Sequence, residues 1–102
     1  MPTREQLIIW LGENREENLH RLKREGDAYF EGFKVRTEEK ITDEYNGDGG
    51  LIFSLTEKIG KKETEYWRIP GYYSSDSGLC LQIFEIFQVV PKPIQKIEWT
   101  PV

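Results

Sequence analysis

The sequence predicts an α+β fold in which an N-terminal helix packs on a curved antiparallel sheet of four to five strands. Three features lead there. Residues 3–25 place apolar side chains at helical spacing, whereas from residue 28 onward they alternate with period two. Turn clusters at EYNGDGG, GKK and SSDSG then cut the alternating part into short strands. The 102 residues fit one domain and leave no room for a second. A folded chain of this size buries about two-thirds of its unfolded surface, so a core alone holds it without metal or disulfides.

The helix has its own start and stop signals. Thr3 and Gln6 stand at the two positions of a capping box, just after Pro2. Ile8, Leu11, Leu19 and Leu22 share a face that Arg15 interrupts, and Glu17 and Arg21 are spaced for an i,i+4 pair. Gly12 costs about 1 kcal/mol against alanine in mid-helix, so a kink or a division into two helices is expected there; Gly26 is the stop. Leu7-Ile8-Ile9-Trp10-Leu11 is apolar around its whole circumference. Such a turn must be covered on several sides. The sheet and the C-terminal segment can cover it, or one side meets a second chain, a homodimer included. That makes Leu7 and Trp10 candidate partner-contacting residues.

The strands follow in order. YFEGFKVR alternates around Phe33 and Val35, with Gly32 marking a bulge or a close backbone approach. TEEKITDEY continues that strand or forms its partner. Asn-Gly and Asp-Gly in EYNGDGG are hairpin signals. LIFSLTEKI sets Leu51, Phe53 and Leu55 on one face, and ETEYWRI sets Trp67 and Ile69 together. In LCLQIFEIFQVV, the longest apolar run, Gln82, Glu85 and Gln88 recur every third position. A bulge or a central strand covered on both faces reconciles that spacing with a strand. Pro91 and Pro93 then end regular pairing around Lys92, and IQKIEW is a last strand with Ile97 and Trp99 facing one way. A cystatin-like or half-cone arrangement satisfies this order, as does a small barrel plugged by the helix.

Composition and spacing argue against most chemistries. Acidic residues outnumber basic ones 18 to 14, for a net charge of −4, which speaks against a general grip on nucleic acid or anionic membrane. No apolar run approaches the roughly 20 residues of a membrane span, and the N-terminus lacks a secretion-signal pattern, so the expected location is the cytoplasm. Cys80 is the only cysteine and allows no internal disulfide. His20 and Cys80 lie too far apart for a zinc motif, and neither a metal nor a cofactor is expected. DEYNGDGG mimics the start of a calcium loop, but Leu55 occupies the position that needs a bidentate glutamate. Ser74, Ser75 and Ser77 do not form a nucleophile elbow. Carboxylates are plentiful, but abundance is not a catalytic signal. Lys58, Lys61 and Lys62 beside Tyr66, Trp67 and Arg68 fit a single-strand binder, and equally a lysine-rich turn.

RIPGYYSSDSG, residues 68–78, has the composition of a recognition loop. Pro70-Gly71 turns or bulges the strand, and Ser74 to Gly78 reads as a hairpin tip whose Ser and Asp side chains satisfy turn backbone groups. Tyr72 and Tyr73 point to opposite faces when extended, so one joins the core and the other is exposed. An exposed tyrosine gives rigid contact area at low entropy cost, and short polar neighbours adapt their hydrogen bonds. The bland alternative is a ring that covers a neighbouring side chain. Tyr72, Tyr73, Ser74, Ser75 and Asp76 join Leu7 and Trp10 as partner-binding candidates.

WRIPGYYSSDSG followed by VVPKPIQKIEW resembles the C-terminal part of small proteins of bacteriophages and mobile elements. In those, a Gly-Tyr-Tyr-Ser-Ser turn precedes a Val-x-Pro step and a final strand ending near an aromatic residue. The resemblance covers the last third of the chain and departs at LCLQIFEIF, where such proteins are more polar and acidic. It implies a class, small accessory proteins that contact another protein, and carries over no catalytic residue. FQVVPK is similar to the protease-blocking Gln-x-Val-x-Gly loop of cystatins, but Lys92 stands at the glycine position, so the inhibitory motif is missing.

The leading expectation is a non-enzymatic protein-binding accessory protein. One alternative is a small-molecule-binding or enzymatic domain with a pocket between helix and sheet, lined by Trp67 and Phe84. The other is a single-stranded nucleic-acid binder across Lys58–Arg68.

Overall fold

Thr3 starts the helix as its capping box predicts. In the computed structural model, which describes residues 1–60, 63–92 and 98–102, α1 runs Arg4–Arg24. The Thr3 hydroxyl accepts from the Gln6 amide at 3.2 Å, and the Gln6 side chain accepts from the Thr3 amide at 2.8 Å. Beyond Gly12 the helix breaks, as the glycine predicts. Glu13 is extended (ψ 145°), and Asn14, Arg15 and Glu16 take left-handed φ of 51°, 58° and 63°. Left-handed backbone costs about 1–2 kcal/mol per non-glycine residue. Asn18 offsets part of this by donating to the Trp10 carbonyl at 2.7 Å, an acceptor that the break would otherwise leave open. The segment before the break buries Leu7, Trp10 and Leu11, and the segment after it buries Leu19 and Leu22. Among the described residues the i,i+4 ion pair is Arg21–Glu25 at 3.4 Å, one turn beyond the spacing of Glu17 and Arg21.

Among the described residues seven antiparallel strands follow, more than the four or five expected. YFEGFKVR accounts for part of the difference. It is a hairpin of β1 (Asp27–Phe30) and β2 (Phe33–Asp43), turning at Gly32 with φ +78°. TEEKITD continues β2, with a register irregularity between Thr37 and Glu39. β3 (Asp48–Glu57) pairs with β2 and with β4 (Thr64–Ser74), and Pro70-Gly71 lies inside β4 without breaking it. β5 (Gly78–Leu81) and β6 (Phe87–Lys92) occupy successive stretches of the same β4 edge. A 3-10 turn, Ile83–Glu85, separates them.

That turn corrects the expectation for LCLQIFEIFQVV. The run is two strands parted by a lifted turn, with Ile83 and Ile86 in the core and Phe84 77% exposed. β7 (Glu98–Pro101) pairs with β6, and Pro91 lies within that pairing, opposite Trp99, instead of ending it. Pro93 and Ile97 fall outside the described residues, as do Lys61 and Lys62. The sheet is open, ordered β1-β2-β3-β4-β6-β7 with β5 beside β4, so the plugged-barrel alternative falls.

One core joins α1 to the sheet face it covers. Leu7, Leu11, Leu22, Val35, Phe53 and Ile69 are among its fully buried members, each worth about 1.5–3 kcal/mol of burial. The opposite sheet face also hides apolar groups. Ile52 and Val89 are buried there, and Tyr66 packs on Trp99 with ring centres 5.0 Å apart. Among the described residues no helix is long and apolar enough to cross a membrane.

Candidate functional site

Two hairpin tips meet at one end of the sheet. The β2–β3 turn (44–47) and the β4–β5 turn (75–77) are neighbours because β3 pairs with β4, Asp48 opposite Tyr72. The Tyr73 amide donates to the Gly47 carbonyl at 3.0 Å and ties the tips together. Glycines allow the close approach. Gly49 and Gly71 face each other in the register, and a Cβ on Gly49 would lie 2.6 Å from the Tyr72 carbonyl carbon.

Asp43 builds the first tip. Its carboxylate accepts from the Tyr45 and Asn46 amides at 3.1 and 3.2 Å and from the Asn46 side-chain amide at 2.9 Å. This Asx-type turn leaves Tyr45 96% exposed. The same hydrogen bonds, the Asn46 side chain's foremost, hold the Asp43 carboxyl below its ordinary value of 3.8. A depressed folded value means that the turn is fully stabilised above 3.8 and loses this support as pH falls through the lower folded value. The amide NMR signals of Tyr45 and Asn46 should therefore move together on acidification, with a midpoint below 3.8. Asp43→Ala should abolish that transition.

The second tip answers which tyrosine is exposed. Tyr72 is, at 52%, on the sheet face away from α1. A hydrogen bond with the Cys80 thiol, the charge on that group and burial together raise its phenol above the ordinary 10.0. Tyr73 is half-buried on the helix side, paired with Leu79. The Ser74 hydroxyl accepts from the Ser77 amide at 3.0 Å, and Gly78 takes φ +74°, the left-handed position of a three-residue hairpin loop. Ser74 thus shapes the turn, while Ser75 and Asp76 face solvent.

Leu7 and Trp10 do not join this surface. Both are buried; the Trp10 indole donates to the Tyr29 carbonyl at 3.1 Å and meets the Phe30 ring edge-on at 5.4 Å. β2 and β3 separate that contact from β4. The turn is apolar on all sides because the core claims nearly all of them, and its outward side chain is Ile9, 65% exposed. Tyr45 is the exposed aromatic of this surface that does not stand among the residues marked out by the sequence. The signal was a single aromatic inside the otherwise polar turn DEYNGDGG.

The residues of the other two readings are dispersed. Trp67 is buried against the core, whereas Phe84 stands out on the 3-10 turn and lines a cleft with Glu16, Leu81 and Ile83; among the described residues no pocket is lined by both. Lys58 sits over the Tyr29 ring at 4.7 Å, Tyr66 is engaged by Trp99, and Trp67 faces the helix side. Among the described residues no three His, Cys, Asp or Glu side chains gather as a metal site.

Arg68 lies beside the tips, its guanidinium folded over Gly50. Its Nε is buried with no hydrogen-bond partner among the described residues. An unmet buried donor costs about 1–3 kcal/mol. Arg68→Met keeps the cover over Gly50 and removes the donor, so urea denaturation should show a protein more stable by about 1 kcal/mol.

Compared with known proteins, the chain matches no family model, no curated protein and no solved structure.

Proposed function

We propose that this chain is a small non-enzymatic protein-binding protein, an accessory protein of the phage-like class acting in the cytoplasm. Its contact surface is the pair of hairpin tips: Tyr45, Tyr72, Ser75 and Asp76 touch the partner, and Tyr73 and Ser74 hold the tips in shape. The observation that carries the reading is the joint exposure of Tyr45 and Tyr72 on two tips tied to one sheet. Tyrosine is among the residues that dominate binding energy at interfaces. Side chain–backbone bonds from Asp43 and Ser74 fix both turns beforehand, so docking orders little and loses little entropy.

A photo-crosslinking residue placed at position 45 tests this. It should capture a protein in the host cell, whereas the same residue at position 59, where Ile59 is 89% exposed on the β3–β4 connection, should not. Equal capture from both positions would remove the tips from the account.

A further inference from the structure

We infer that the partner presents a lysine- and arginine-rich segment to the paired tips, an inference that rests on the protein-binding reading above. The two hairpin segments that carry the exposed tyrosines hold charge of one sign. Asp43, Glu44, Asp48 and Asp76 belong to the two tips or the strand residues next to them, and residues 41–57 and 69–91 contain no lysine or arginine. The basic side chains nearby turn to other groups, and none pairs with a tip carboxylate among the described residues. Lys23 donates to the Leu79 carbonyl, Lys40 donates to the Lys23 carbonyl, and Arg68 is folded over Gly50. The ion pair found among the described residues, Arg21–Glu25, lies on the helix. The tip carboxylates therefore form no ion pair with their own chain among the described residues.

The geometry pairs ring with charge. Asp48 and Tyr72 are direct cross-strand partners, so their side chains share a sheet face with Cβ atoms about 4.5–5.5 Å apart. A guanidinium laid on the exposed face of Tyr72 gains a cation–π contact and reaches the Asp48 carboxylate at once. Tyr45, between Glu44 and the Asp43 turn, offers the same combination on the other tip. An acidic partner would bring like charges together, which discriminates against it. Opposite charge also steers the right partner to the tips before contact.

Fluorescence anisotropy with two labelled peptides tests this, one of arginine–glycine repeats and one of the same length with glutamate in place of arginine. The arginine peptide should bind, more weakly as salt is raised, and the glutamate peptide should not. The triple variant Glu44→Gln, Asp48→Asn, Asp76→Asn should weaken arginine-peptide binding about tenfold or more. The charge-matched control Glu5→Gln, Glu13→Gln, Glu31→Gln should change it less than about twofold. Equal binding of the two peptides, or equal weakening by the two triple variants, would overturn the inference.

The protein-binding reading fails separately. If Tyr45→Ala with Tyr72→Ala loses the cellular partner but the arginine peptide does not bind, the tips still bind protein and the basic chemistry is wrong. If the double variant keeps its cellular partner, the tip surface itself is wrong and the inference falls with it.

Discussion

Gly71→Ala should destabilise the protein by about 3 kcal/mol and loosen β5 from β4. A Cβ at this position would press on the backbone of Cys80, 2.9 Å from its carbonyl carbon and closer still to its oxygen, and 3.0 Å from the Leu81 Cα. Every one of these atoms is main chain, so no side-chain rotation relieves the clash. The strands must separate, in the stretch where Gly71 pairs with Leu81 and Tyr72 with Cys80. Overpacking of this kind costs about 1–3 kcal/mol, with the larger values where the neighbours cannot yield. Against a typical total of about 5–15 kcal/mol that is a large loss. Urea denaturation measures it, and hydrogen exchange of the Cys80 and Leu81 amides localises it. Gly12→Ala is the control. A Cβ there meets nothing within 4 Å, and the change should stabilise by about 0.5–1 kcal/mol. Similar effects at both sites would refute the tight packing beneath the second tip.

Tyr45→Ala combined with Tyr72→Ala should weaken partner binding about a hundredfold or more while leaving the fold intact. Each ring is mostly or half exposed in the free protein, so its removal costs the fold little. At an interface, tyrosine truncations of hot-spot type cost about 2 kcal/mol each, and two together exceed two decades of affinity. Circular dichroism and the thermal midpoint check the fold, and titration calorimetry with the captured partner checks the affinity. Tyr73→Ala should behave differently. Its ring packs on the helix side, so the loss should appear in stability before it appears in binding.

The legible parts of this protein are those governed by local chemistry. The Thr3–Gln6 capping box, the division of the helix at Gly12, the Asn-Gly turn and the opposite faces of Tyr72 and Tyr73 all follow from residue type and spacing, and all are present. The count of strands was not legible, because two decisions are tertiary. Gly32 reads as a bulge or a turn depending on whether β1 finds β2 as a partner. LCLQIFEIFQVV lifts off as a 3-10 turn because β4 offers one long edge that β5 and β6 share.

The site was half legible for similar reasons. The second tip announced itself by composition. Tyr45 did not, because its exposure depends on how Asp43 folds the turn beneath it. Leu7 and Trp10 read as a partner surface because an all-round apolar turn looks the same in sequence whether its own core or another chain covers it; here the core does.

The central claim is that the paired tips hold a protein partner. Its most direct test is a tagged pull-down from nuclease-treated host extract, read by mass spectrometry, with wild type beside Tyr45→Ala/Tyr72→Ala. The account predicts a stoichiometric protein that survives nuclease with wild type and is missing from the double variant. The same protein retained equally by both would contradict it.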